Sequence, residues 1–238
     1  LSGESITTKA SQDIGHEVGE NNIQFLGLDI HNRVFVISAV LGVAVVIGTL
    51  MFQAQAAVFF DDMRNWITVK FDWFFAISAD FFLVFCIAVA CSKLGKVRLG
   101  GRDASPHYSY SGWLAMLFAA GVGIGLMFFG VLEPVTHTLN TPLGIDPADT
   151  ETARAAGMSA AIFHWGLNAW AIYALVGLSL AFFCFNRGMP LTLRSAFYPL
   201  FGKAVWGVTG NVVDVVAVLA TLFGLAVSLG LGAEQING

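Results

Sequence analysis

Charge is what this chain has least of. Only 12% of its 238 residues are charged, whereas soluble domains carry about a quarter. With 56% hydrophobic residues and a mean hydropathy of +0.73, a soluble globular domain is excluded and a multi-span membrane protein is indicated. Basic residues are scarcer than acidic ones, 12 against 16, and the net charge of -4 leaves no basic stripe to neutralise phosphates. A nucleic-acid partner is therefore not expected. Cysteine is limited to Cys86, Cys91 and Cys184, odd in number and set in or beside apolar runs. These read as small buried hydrophobes; no disulfide framework and no metal-ligand spacing appears, so no metal site is expected. The N-terminus lacks the basic start and short apolar core of a signal peptide. Positions 1–32 carry five carboxylates against one lysine and read as a polar, soluble tail. The chain also lacks an initiating methionine and stops in "LGAEQING", just after its last apolar stretch, which reads as truncation at both ends.

What the chain has instead is apolar length. Five stretches, about 34–53, 71–92, 113–133, 155–185 and 205–236, reach the roughly 20 residues needed to cross a bilayer. The expectation is an all-α integral membrane domain over 33–238 behind the tail. Nine lysines and arginines fall on the side of the tail and of the segments 93–102 and 187–203, against three on the other. The tail is accordingly placed in the cytoplasm and the acidic 134–155 loop outside.

Two stretches carry functional information. In "FAAGVGIGLMFFGVLEP", positions 118–134, Gly121, Gly123 and Gly125 alternate, and Gly123 is the midpoint of the third stretch. Each glycine costs a helix up to about 1 kcal/mol relative to alanine. A backbone opened at membrane depth frees N–H and C=O groups, tolerable only against protein or a solvated cavity; transporters build midplane sites in this way. Gly121 and Gly125 also form a GxxxG, a close-packing spacing, which leaves Gly123 unexplained. In "FHWGLNAWAIYALVG", positions 163–177, one continuous helix would set Trp165, Trp170 and Tyr173 at roughly 0°, 140° and 80°, on one broad face. An interfacial aromatic belt is the ordinary reading, but belts sit at helix ends and these residues lie near mid-span. Aromatic faces attract a cation with no proton to donate, at about 2 kcal/mol or more when desolvated. Quaternary ammonium fits, and the glycine segment would offer N–H donors to a carboxylate on the same solute.

With these residues in view, "AAGVGIGLMFFGVLEP" and "HWGLNAWAIYALVG" resemble the third- and fourth-helix motifs of the betaine/choline/carnitine transporter family; "SKLGKVRLG" and "TLFGLAVSLGLGAEQI" also resemble its segments. The resemblance runs from about Arg33 to the end. It implies a twelve-helix fold of two extra N-terminal helices followed by two inverted five-helix repeats, usually trimeric, in the bacterial inner membrane, of which this chain holds five helices. It implies a secondary transporter, not an enzyme, with no cofactor beyond a coupling ion. Trp165, Trp170 and Tyr173 match three members of the family's substrate box, and Gly121, Val122, Gly123, Ile124 and Gly125 its unwound segment. Gly125 stands where proton-coupled choline carriers have aspartate, which favours a betaine-like zwitterion over choline; glycine betaine, carnitine, choline and sulfonium solutes all suit aromatic faces. Sodium coupling is implied through backbone carbonyls near Ala119 and Val122, and through Thr221 in a second site. There Leu225 replaces a second threonine, and an isobutyl group cannot ligate a cation that prefers oxygen. Proton-coupled choline uptake and carnitine/betaine exchange are the alternatives; a channel or an intramembrane enzyme lies further off.

Several polar residues in or beside the apolar stretches are weighed for function. Asp80, near the centre of the second, is read as a protonated or paired structural aspartate rather than a proton relay. Glu133 and Asp214, near helix ends, are read as structural, and His164 as a packed, hydrogen-bonded histidine.

Overall fold

The computed structural model describes residues 19–20, 22–121 and 124–237, without the side chains of residues 32, 120, 121, 124 and 125. Val122 and Gly123, the centre of the expected opened segment, lie outside the described residues.

Strand β1 (Asn22–Phe25) pairs antiparallel with β2 (Leu28–His31), with Phe25 opposite Leu28 and Asn22 opposite His31. The two-residue turn needs positive φ at both positions; Gly27 supplies it freely at 79°, whereas Leu26 at 51° is strained. His31 then caps the first helix, its Nδ1 accepting from Val34 N at 3.4 Å.

Helix α1 (Asn32–Met51) is separated by Phe52 alone from α2 (Gln53–Cys91). At 39 residues α2 is about 58 Å long, nearly twice the hydrocarbon thickness. The second helix was expected at 71–92 and instead starts at Gln53. No glycine or proline interrupts positions 53–70, and three polar side chains there pair along the helix: Arg64 Nη2 donates to Asp61 Oδ1 at 2.8 Å and Asn65 Nδ2 to Asp61 Oδ2 at 3.3 Å. Hydropathy marks the apolar part of the rod and misses its polar extension.

Helices α3 (Tyr110–Gly121) and α4 (Ile124–Leu139) follow, then α5 (Thr150–Trp165) and α6 (Leu167–Ala181), which ends in a π turn at Phe182–Asn186. The fourth stretch, expected as one helix over 155–185, is therefore divided at Gly166. Two single-turn helices, α7 (Leu193–Ala196) and α8 (Tyr198–Phe201), lead to α9 (Val208–Asn237). Among the described residues, four helical segments are long and apolar enough to cross a membrane: Arg33–Met51, Gln53–Cys91, Thr150–Asn186 and Val208–Asn237.

Helix α4 packs along α5, and α2 along α6. Gly157 of α5 lies so close to α4 that a Cβ there would come within 2.6 Å of Thr138 Oγ1. Between α2 and α6, Cys86 Sγ approaches the Ala171 carbonyl at 3.6 Å. None of the three cysteines is buried, contrary to the expectation; all are free thiols. Asn186 clamps the segment after α2, accepting from Gly100 N at 3.0 Å and donating to Arg98 O at 3.1 Å. The residue just before the second basic segment thus touches the first.

The largest buried polar feature joins α7 to α9. Arg194 donates from Nε to Asp214 Oδ2 at 2.6 Å, from its backbone N to Asp214 Oδ1 at 3.1 Å, and from Nη2 to Asn211 Oδ1 at 3.1 Å. The structural reading of Asp214 agrees with this pairing. Apolar side chains elsewhere mostly face outward: the accessible surface is 17498 Å², against about 10,000 Å² for a compact soluble protein of this mass. Such a surface is stable against lipid or further protein, not in water.

Candidate substrate and ion sites

The geometry of the aromatic stretch is set by Gly166. Its φ of -86° and ψ of -152° end α5 and start α6. A Cβ at this position would lie 2.5 Å from the Ile162 carbonyl oxygen, so the local path requires glycine. A helix interrupted here exposes main-chain groups that need other partners. One comes from the next turn: Trp170 Nε1 donates to the Trp165 carbonyl at 3.2 Å.

That break changes the expected arrangement of the three aromatics. Trp170 and Tyr173, both on α6, form a ring pair with centroids 5.5 Å apart and planes inclined by 39°. Trp165 sits on the other side of the break, so the single-face argument, which assumed one helix, does not hold for it. Its ring instead meets Phe129 of α4 at 6.1 Å, and its indole Nε1 is buried without a hydrogen-bond partner. The three residues are brought together through the Trp165 carbonyl rather than as a stack of rings. Tyr173 is 71% exposed and Trp170 45%, so this aromatic surface is open.

The break is held on both sides by polar contacts. Asn168, in the first turn of α6, donates from Nδ2 to Asp80 Oδ1 of α2 at 2.9 Å, which agrees with the paired reading of Asp80. On the other side, His164 Nδ1 lies 3.1 Å from Glu133 Oε2 of α4. His164 is thus hydrogen-bonded as expected but not packed, its side chain being 49% exposed.

The remaining candidates are scattered. Gly121 ends α3 and Gly125 lies in the first turn of α4, while Gly123 and Val122 are not described. The Phe129–Trp165 contact nevertheless sets the helix that continues from the glycines beside the aromatic stretch. Ala119 is exposed near the end of α3. Thr221 Oγ1 donates to Ala217 O of its own helix at 2.8 Å, and with His31, Thr192 and Asp214 it lines a cavity of about 390 Å³. A second cavity of about 370 Å³ lies between the Arg98–His107 segment and Phe185. The aromatic residues line neither.

Sequence reasoning missed Gly166, although a glycine between two tryptophans in mid-span was a visible signal. It also missed the grouping of Glu133 and His137 with His164; the four-residue spacing of the first two was legible, the third partner was not.

Comparison with known proteins agrees with the motifs. The family model described as the betaine/carnitine/choline family transporter matches residues 33–238. The chain is 49% identical over 242 residues to a glycine betaine/proline/choline transporter of Vibrio parahaemolyticus, covering 94% of this chain and 44% of that protein. It is 53% identical over 224 residues to glycine betaine transporter 1 of the same organism, covering 92% and 43%. A high-affinity choline transport protein of Escherichia coli K12 is 42% identical over 204 residues, covering 86% and 30%. The chain thus spans less than half the length of these curated relatives. Motifs, apolar helices and the match over nearly the whole chain lead to one assignment: the chain belongs to the betaine/carnitine/choline family of transporters.

Proposed function

We propose that the complete protein is a secondary transporter that imports quaternary-ammonium osmolytes, glycine betaine foremost, by sodium symport with alternating access. The observation that carries this reading is the Gly166 break, which presents the Trp170–Tyr173 ring pair beside the Trp165 carbonyl. Ring faces attract a methylated ammonium through their quadrupole, and the bond from Trp170 Nε1 fixes the orientation of that indole. Helix termini and main-chain groups near Gly121, Gly123 and Gly125 suit the solute's carboxylate, because N–H groups at a helix start carry partial positive charge. Sodium is assigned to carbonyls near Ala119 and Val122, and to a second site that includes Thr221. The architecture belonging to this reading is five spans of a twelve-helix, five-plus-five repeat, assembled as a trimer in the bacterial inner membrane with a cytoplasmic N-terminus.

Leu225 favours a second reading, proton-coupled choline uptake or carnitine/betaine exchange, because it removes one oxygen ligand from the family's second sodium site. Uptake of radiolabelled glycine betaine, choline and carnitine by the complete gene product in vesicles, under imposed sodium or proton gradients, separates the readings. Sodium-driven betaine uptake is expected. Trp170→Ala should raise the half-saturating betaine concentration about 30-fold, the equivalent of about 2 kcal/mol of cation–π attraction, with unchanged surface expression. Unaltered kinetics in that variant would remove the aromatic site from the mechanism.

A further inference from the structure

One group of side chains at the α4–α5 contact has no part in the transport reading. Glu133 and His137 stand four residues apart on α4 and so share a face. His164, in the last turn of α5, meets them from the adjoining helix. Glu133 Oε2 lies 3.1 Å from His164 Nδ1 and 4.0 Å from His137 Nε2, and the two imidazole rings are 5.3 Å apart, edge to face. One potential ligand atom from each residue falls within 4.8 Å of the others.

We propose that Glu133, His137 and His164 form a binding site for a divalent cation of the zinc class, with a fourth position open to water. Two imidazole nitrogens and one carboxylate oxygen are the donors that zinc prefers, whereas sodium, magnesium and calcium call for oxygen alone and more of it. Zinc–ligand bonds of about 2.0 Å in a tetrahedron place donors about 3.3 Å apart. The His164–Glu133 pair already has that spacing, and His137, whose Nε2 lies 4.0 Å from Glu133 Oε2, closes on it by side-chain movement.

The backbone beneath the three side chains is held in place. Gly157 abuts Thr138 with no room for a Cβ, and Thr138 Oγ1 donates to the Pro134 carbonyl at 2.7 Å, one residue from Glu133. Entry from solvent is open, since the side chains of Glu133, His137 and His164 are 20%, 26% and 49% exposed. A bound cation ties the end of α5 to α4, two residues from the Gly166 break.

The test uses the complete protein, purified and stripped with a chelator, and its readout does not depend on transport. Titration with Zn²⁺ by calorimetry is expected to find one site per chain, and Co²⁺ in its place should give the visible absorption of a tetrahedral centre. Glu133→Gln, His137→Gln and His164→Gln should each weaken zinc binding at least about tenfold, since even the outer partners of a metal ligand carry effects of that size. His107→Gln, at a histidine lining the separate cavity beside Phe185, should leave it unchanged. His164→Cys retains a zinc ligand and should keep most of the affinity, which separates lost ligation from misfolding. Zinc affinity unaltered in all three glutamine variants, or no stoichiometric zinc binding by the stripped parent protein, overturns the proposal.

Discussion

Gly166→Ala adds one methyl group, and its consequence can be followed atom by atom. The new Cβ would sit 2.5 Å from the Ile162 carbonyl oxygen, 0.5 Å inside the 3.0 Å limit that such contacts essentially never cross. The chain has two ways out. Either the end of α5 moves by at least that amount, or residue 166 turns helical and joins α5 to α6. Alanine favours the second route by about 1 kcal/mol. Both disturb the bond from Trp170 Nε1 to the Trp165 carbonyl, which at 3.2 Å has little slack before it ceases to be a hydrogen bond. Losing it costs about 1 kcal/mol, and residual strain at a packed site adds about 1–3 kcal/mol. For transport, a displaced indole forfeits about 2 kcal/mol of cation–π attraction, or about 30-fold in half-saturating substrate. The assay is concentration-dependent betaine uptake by the complete protein, normalised to surface expression and accompanied by thermal unfolding in detergent. If Gly166→Ala unfolds at the parent temperature and takes up betaine with a half-saturating concentration within about twofold of the parent, the break does not position the site.

Other substitutions probe the surrounding contacts. Arg194→Met leaves Asp214 buried without its partner and should destabilise the protein by about 3–5 kcal/mol in thermal unfolding, whereas Arg194→Met with Asp214→Leu should recover most of that loss. Asp80→Asn keeps an oxygen acceptor for Asn168 and should preserve ion-driven uptake; loss of driven uptake with retained substrate exchange would instead mark Asp80 as a proton carrier. Asp149 caps α5, and its hydrogen bonds to the side chain and backbone of Thr152 hold its pKa below the ordinary carboxylate value. The folded state therefore favours the charged form, and the contribution of the cap is complete above about pH 4 and lost as pH falls through the lowered value. Asp149→Asn should flatten the dependence of the unfolding temperature on pH in that acidic range.

Properties that add up along the chain were legible in the sequence. Hydropathy located four apolar helices, and the first of the two basic segments grouped by lysine and arginine counts is held by Asn186, just before the second. Helix ends were harder, because helicity does not stop where hydropathy does: α2 runs through Asp61, Arg64 and Asn65, which satisfy one another. The proposed aromatic site was legible in composition and not in geometry. Trp170 and Tyr173 share a helix, so their spacing alone foretold the ring pair; Trp165 lies across a break whose cause is a close approach to the Ile162 carbonyl. Glu133 with His164 and Asp80 with Asn168 lie 31 and 88 residues apart in sequence, and such pairings depend on which helices pack together.

The packing also gives the break a meaning that neither half of the helix has alone. Helix α5 is joined to α4 by the His164–Glu133 contact, by the Trp165–Phe129 rings and by the close fit of Gly157 on Thr138. Helix α6 is joined to α2 by Asn168–Asp80 and by Cys86 against Ala171. Each half thus has its own partner, and the two partners are different helices. Fusing α5 to α6 into one straight rod would have to break one set of contacts, which is why the apolar sequence around Gly166 does not simply continue as a helix. Conversely, a change of angle at Gly166 can leave both pairs intact, because packed pairs move as units more readily than they deform. The Trp165 carbonyl and the Trp170 indole lie on opposite sides of that joint, so their hydrogen bond reports its angle directly. On the proposed reading, substrate held on the Trp170–Tyr173 pair is coupled to the relative placement of α4–α5 and α2–α6, which gives glycine at position 166 a use in an alternating-access cycle.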